Sequence, residues 1–292
     1  MNEFKTYHPI VNLVYFVLVI GFSCFFMHPV CLAISLTCAF TYSVMLKGRK
    51  AVKTNLIYTL PMLLLMAIIN PLFNHEGITV IKYFPNGNPL TMESIIYGFC
   101  TAVMIVSVIM FFSCYNEVMS SDKFIYLFGK VIPRISLVIS MTLRFVPRFV
   151  TQLKIIVNTQ RTMGKDARRG SVIKRVKNAL SILSVMTTWA LENSIDTADS
   201  MKARGYGLEG RTAFSIYTFD KRDKKALICI LFFGIYTLAG KIMGKIDFSY
   251  FPSLEAEKIS FFGVSVFIAY LMLCMYPVLI ELWEVRRWKA LR

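Results

Sequence analysis

Six apolar runs, at about residues 10–27, 29–46, 56–73, 92–115, 226–246 and 259–280, leave this chain few folds to choose from. In lipid every backbone N–H and C=O must find its partner within the membrane-crossing structure, and a helix does this over about 20 mostly apolar residues spanning roughly 30 Å. The runs meet or approach that length. The expected fold is therefore all-α: a polytopic membrane protein with about six transmembrane helices. Composition agrees, since 56% of the 292 residues are hydrophobic, against roughly 45–50% in soluble domains. The first run lacks the basic leader and small-x-small cleavage site of a signal peptide before the next run begins at Pro29, so it is read as part of the mature chain.

The formal net charge of +16 has to be placed outside the bilayer core, where each charge costs about 2.5–3.5 kcal/mol on insertion scales. The loop from Lys47 to Lys53 is strongly basic, whereas Asn74–Thr91 carries only Lys82. By the positive-inside rule the first loop is cytosolic and the second external, and both termini are then cytosolic. Lys241 and Lys245 run mildly against this scheme and must snorkel to the outer interface.

The chain divides into an N-terminal four-helix transmembrane region (1–116), a basic cytosolic insert (117–225) and C-terminal transmembrane helices with a basic tail (226–292). Residues 117–225 hold 20 Lys and Arg against 9 Asp and Glu, a net of +11. So long a connection needs structure of its own, and helical periodicity supplies it. Ile132–Pro147 is apolar but interrupted by Arg134 and Arg144. Phe149–Met163 follows, with Gly164 as a stop, and Ile173–Leu191 continues through a polar stretch to Ala203. Ala179–Leu191 is too short and too rich in Ser and Thr for a span, and reads as an amphipathic helix on the cytosolic side of the membrane. Lys165–Gly170 and Lys174–Lys177 form a basic bend suited to anionic headgroups. No base-stacking platform or recognised module accompanies the charge, so no nucleic-acid partner is expected.

Within the insert, Ser200-Met201-Lys202-Ala203-Arg204-Gly205-Tyr206-Gly207 places an arginine between two small residues where a polar helix should end. Two readings fit. Ala203 and Gly205 let another protein approach the backbone while the Arg204 guanidinium reaches a carboxylate as a two-pronged donor. Equally, Gly205 or Gly207 suits a left-handed helix cap, with Arg204 complementing the helix dipole.

Other chemistries lack their residues. Gly129-Lys130, Gly164-Lys165, Gly240-Lys241 and Gly244-Lys245 all lack the GxxxxGK[ST] pattern, so no phosphate loop is present. His8, His28 and His75 are far apart, and the seven cysteines form no CxxC pair, so neither a metal site nor a catalytic triad is expected. Glu93 and Glu281 sit at span ends, which leaves a secondary transporter or channel without its usual intramembrane carboxylates, and the spans show no inverted repeat. Convergent residues for a membrane enzyme are likewise missing.

The order of four early spans, a basic helical insert and late spans, with Leu143-Arg144-Phe145-Val146-Pro147 and Ala203-Arg204-Gly205, resembles the transmembrane T component of energy-coupling-factor (ECF) transporters, the CbiQ/EcfT family. Tyr7-His8-Pro9 is a weaker match. The resemblance implies a non-catalytic subunit of the prokaryotic plasma (inner) membrane that joins two ABC-type ATPase subunits to a substrate-binding S subunit for uptake of a vitamin or metal ion. It binds no cofactor itself, ATP and Mg belonging to the ATPases. It also implies two Ala-Arg-Gly-type tripeptides on two coupling helices. Ala203-Arg204-Gly205 is the second. The first falls at Thr162-Met163-Gly164, with Met163 at the usual arginine position and Arg161 two residues early on another face. Arg144, Pro147 and Arg161 are the expected supporting residues.

Overall fold

The computed structural model describes residues 3–83, 88–131, 133–165, 171–206, 217–256 and 260–290. They form two units, one of Met1–Phe124 with Tyr217–Arg292 and the other of Ile125–Ile216.

The first unit begins with a 3-10 turn, Glu3–Thr6, followed by α1 (Pro9–Phe25), α2 (Pro29–Lys47), α3 (Arg49–Phe73) and α4 (Met92–Val118). A small antiparallel pair, β1 (Val80–Tyr83) with β2 (Pro89–Thr91), lies between α3 and α4. After the insert come α8 (Lys221–Ile242), a two-residue pair β3 (Phe248–Ser249) with β4 (Glu255–Ala256), and α9 (Phe261–Ala290). Five of these helices contain segments long and apolar enough to cross a membrane: Pro29–Lys47, Asn55–Phe73, Met92–Val118, Lys221–Ile242 and Phe261–Arg287. The sixth apolar helix, α1, has 17 residues, about 26 Å at 1.5 Å per residue. The run expected at 226–246 is displaced. Its helix starts at Lys221, because Asp220 and Asp223 close a capping box there, and ends before the left-handed Gly244. Lys241, expected to snorkel, pairs with Asp247 in the turn that follows.

Helix α4 packs against α1, α2 and α3, and α9 packs against α2 and α8. Tyr15, Phe16, Tyr42, Phe111 and Tyr270 are fully buried among them. A buried tyrosine usually finds an acceptor for its hydroxyl: Tyr15 donates to the Cys274 carbonyl at 3.0 Å and Tyr270 meets Ser35 at 2.6 Å, whereas the buried Tyr42 hydroxyl has no hydrogen-bond partner among the described residues. Helix α3 comes close to α4 at Gly98, where a Cβ would sit 2.9 Å from the Asn70 side chain. Helices α1 and α2 both open on His-Pro. The proline at N1 sacrifices no hydrogen bond, and the Nδ1 of His8 or His28 accepts from the amide two residues on, at 3.3 and 3.2 Å. These two histidines are helix caps, and among the described residues no cluster of His, Cys, Asp or Glu could hold a metal.

The second unit contains most of α5 (Ser121–Val131), with α6 (Pro133–Thr162) and α7 (Val172–Ala203). Sequence periodicity broke the α6 region at Pro147, but the helix runs through it for 30 residues. A proline inside a helix removes one hydrogen bond without ending it when flanking turns hold; here Thr151 Oγ1 also donates to the Pro147 carbonyl at 3.1 Å. Likewise Ile173–Leu191 and its polar continuation are one helix of 32 residues.

Candidate functional site

Helices α6 and α7 pack on each other with a short connection, so they run antiparallel. Trp189 of α7 meets Phe149 edge-on at 5.5 Å, and the Arg148 guanidinium lies 5.8 Å from the same ring. Seven residues on from Phe149 and seven back from Trp189 are Ile156 and Ile182, both buried. The same register continues to Gln160 and the buried Asn178. One stripe of α7, Asn178, Ile182, Met186 and Trp189, therefore faces α6. At about 100° per residue, a second apolar stripe of Ile173, Val176, Leu180, Leu183 and Leu191 occupies the opposite side and is exposed. On α6, Leu143, Val146, Val150 and Leu153 form a further exposed stripe at helical spacing. Among the described residues of this unit only Ile156, Asn178 and Ile182 are buried. Apolar area of this kind marks a face that another molecule or lipid covers.

Both candidate tripeptides are C-terminal helix caps of the same construction. At the end of α6, Gly164 takes φ +78°, its N–H donates to the Arg161 carbonyl at 3.1 Å, and Lys165 N–H donates to Gln160 at 2.9 Å. At the end of α7, Gly205 takes φ +75°, with Gly205 N–H to Lys202 at 2.9 Å and Tyr206 N–H to Met201 at 3.0 Å. These are two Schellman motifs, and they place Thr162-Met163-Gly164 and Ala203-Arg204-Gly205 in equivalent positions. Met163 and Arg204 are thus the structural counterparts of each other, each the last residue before a left-handed glycine. Arg204 and Ala203 are exposed, and Met163 is 68% exposed. Thr162 Oγ1 donates to the Thr159 carbonyl at 2.7 Å, a bond that turns it back onto its own helix. The cap reading of Gly205 thus holds. It does not exclude docking, because α8 ends in the same way at Gly244 (φ +74°): the cap presents a side chain without specifying a use for it.

The sequence-derived supporting residues do not converge on these tips. Arg161 is exposed in the last turn of α6, but Arg144 and Pro147 are exposed near its middle, Pro147 about 22 Å from the tip at 1.5 Å per residue. Since α6 ends where α7 begins, the two tips lie at opposite ends of the hairpin, about 48 Å apart along the 32 residues of α7. Residues 166–170 of the basic bend, and Gly207, lie outside the described residues. The Trp189 contact that sets the hairpin register went unread in the sequence; an aromatic at the junction of apolar and polar halves of α7 was the available signal.

Residues 5–214 match the CbiQ family, described as cobalt transport protein. Among curated relatives, the "Energy-coupling factor transporter transmembrane protein EcfT" of Lactobacillus helveticus is 38% identical over 108 residues, 37% of this chain and 38% of that protein. The proteins of the same name from Streptococcus thermophilus and Bacillus selenitireducens are 34% identical over 102 residues and 32% identical over 111. These cover 35% of this chain and 39% of the relative, and 38% and 41%, respectively, so the chain aligns with about two fifths of each relative's length. The multi-pass helical bundle and the family match over most of the chain agree: this chain belongs to the CbiQ family, as a transmembrane T component of ECF transporters.

Proposed function

We propose that the chain couples two cytosolic ABC-type ATPase subunits to a separate S subunit that captures a vitamin or metal ion. The observation that carries this reading is the pair of equivalent, exposed helix caps at opposite ends of one helical hairpin. One tip serves each ATPase. Ala203 and Gly205 leave room for a groove wall beside the backbone, and the Arg204 guanidinium makes a bidentate contact with a carboxylate in that groove. Met163 fills the equivalent groove by packing, its unbranched thioether adapting to the walls. Binding of ATP and Mg, both held by the ATPases, draws those subunits together. The tips move with their grooves, and the hairpin carries the motion to the S subunit. The exposed apolar stripe of α7 opposite α6 is the surface that suits the S subunit or the membrane. The chain itself hydrolyses nothing, and its insert and both termini face the cytosol of a prokaryotic cell, as the charge bias requires.

Photo-crosslinkers at positions 163 and 204 of the membrane-embedded chain test this directly. Each is expected to capture an ABC-type ATPase, and adducts to lipid alone at both positions would refute it. Cysteine labelling at Ser253 from outside the cell, and at Lys50 only after permeabilisation, checks the orientation.

A further inference from the structure

The chain leaves the first unit after Phe124 and re-enters it at Tyr217. The N-terminal segment Glu3–Pro9 is bonded beside both of these crossings. At the outgoing one, the Lys123 side chain in the first turn of α5 is buried, and its ammonium donates to the Lys5 carbonyl at 2.5 Å and the Val118 carbonyl at 3.3 Å. With its amide turned so that both ends are satisfied, the buried Asn12 accepts from Lys123 Nζ at 2.8 Å and donates to the Phe4 carbonyl at 3.1 Å. Three protons thus meet three oxygens. At the returning crossing, the buried Asp223 carboxylate accepts from His8 N–H at 3.1 Å and from Asp220 N–H at 3.1 Å. The Arg222 guanidinium covers the Tyr7 ring at 4.3 Å and donates to Thr6 Oγ1 at 3.0 Å. Phe4 and Tyr7 seat the segment in the core, Phe4 edge-on to Tyr15 at 5.2 Å.

A buried ammonium without a carboxylate is costly, and a bundle needing only stability would be served by an apolar residue there. What the arrangement adds is geometry. The insert is joined to the bundle by two covalent connections, and one short segment of the bundle ties the chain beside both of them. We propose that Glu3–Pro9 is a clasp that holds the two crossings together while the hairpin moves, with Lys123, Asp223 and Arg222 as its positioning residues. This rests on the coupling reading above: slack at either crossing would absorb the motion that ATP imposes on the hairpin.

Hydrogen–deuterium exchange on the full chain, assembled in nanodiscs with the ATPase pair that co-purifies with it, tests the clasp. The probe is a non-hydrolysable ATP analogue with Mg, and the variants are Lys123→Met and, because Arg222 is exposed and its loss spares the core, Arg222→Ala. In the wild type the analogue is expected to change exchange in α6 and α7 and also in α3 and α4. In both variants the hairpin response should persist while the response in α3 and α4 falls by about threefold or more. A merely structural role would raise basal exchange and leave the nucleotide response in place. An unchanged response in α3 and α4 in both variants, or none there in the wild type, overturns the clasp alone. A wild-type hairpin that does not respond overturns the coupling reading and the clasp with it. If Lys123→Met fails to assemble, Arg222→Ala decides by the same readout.

Discussion

Truncating Arg204 separates the value of this side chain to the fold from its value to a partner. The guanidinium is exposed at the end of α7, beyond Lys202, whose own ion pair with Asp199 spans 3.8 Å on an open surface. Surface changes of this kind alter stability by about 0.5 kcal/mol or less, so Arg204→Ala should fold and insert normally. Its neighbours Ala203 and Gly205 carry no group long enough to replace it. If the guanidinium forks onto a carboxylate in a desolvated groove, its removal leaves that charge unpaired, at a cost of about 2–5 kcal/mol. Even the lower figure weakens binding roughly 30-fold. The assay is titration of the purified ATPase pair against the chain in nanodiscs, with thermal unfolding as the control. Arg204→Lys keeps the charge but loses the fork, and should fall between wild type and alanine. An Arg204→Ala chain that binds the ATPases within about twofold of wild type would show that no buried carboxylate awaits this residue.

Met163 should matter less: Met163→Ala is expected to cost about 1–2 kcal/mol of docking, and Met163→Arg should be tolerated if its groove takes an arginine as that of Arg204 does, both read by the same titration. Alanine at Gly205 forces a left-handed φ of +75° on a residue with a Cβ, at about 1–2 kcal/mol. Gly205→Ala should therefore redirect Arg204 and weaken docking, whereas Gly244→Ala, with equal strain at the end of α8 (φ +74°), should lower thermal stability and leave docking intact. Burial, with the Lys5 ammonium nearby, pulls the Lys123 ammonium from 10.5 down to about 8. Between those values the unfolded chain binds a proton that the folded chain does not, so stability from this site rises with pH across that window. Wild type should gain on Lys123→Met from about pH 8 to 10 in thermal unfolding and run parallel to it below pH 7.

The spans were legible because lipid admits few solutions for the backbone: five of the six apolar runs coincide with helices long and apolar enough to cross, and the sixth with α1. The capping glycines were equally legible, since Gly164 and Gly205 stand where periodicity stops. Pro147 misled. Proline's local cost is visible in sequence, but the long helix that absorbs it is not. Helix α5 was legible too, in the helical spacing of Phe124, Leu127, Phe128 and Val131, and was missed. Nothing local marks Lys123 as buried or joins His8 to Asp223, 215 positions away; such bonds follow from packing, which a pattern of periods and caps does not encode. The equivalence of Met163 and Arg204 was legible as alignment of motif to motif, but only the backbone hydrogen bonds make it a statement about geometry.

The central claim is that two tips of one hairpin each seat an ATPase, and the mass of the purified assembly tests it most directly. The chain, isolated from its own cell membrane and analysed by native mass spectrometry, is expected to carry two ABC-type ATPase subunits. Arg204→Ala should lose at least one of them, and the chain stripped of both should hydrolyse no ATP. A wild-type chain that emerges without ATPases, or that hydrolyses ATP alone, contradicts the account.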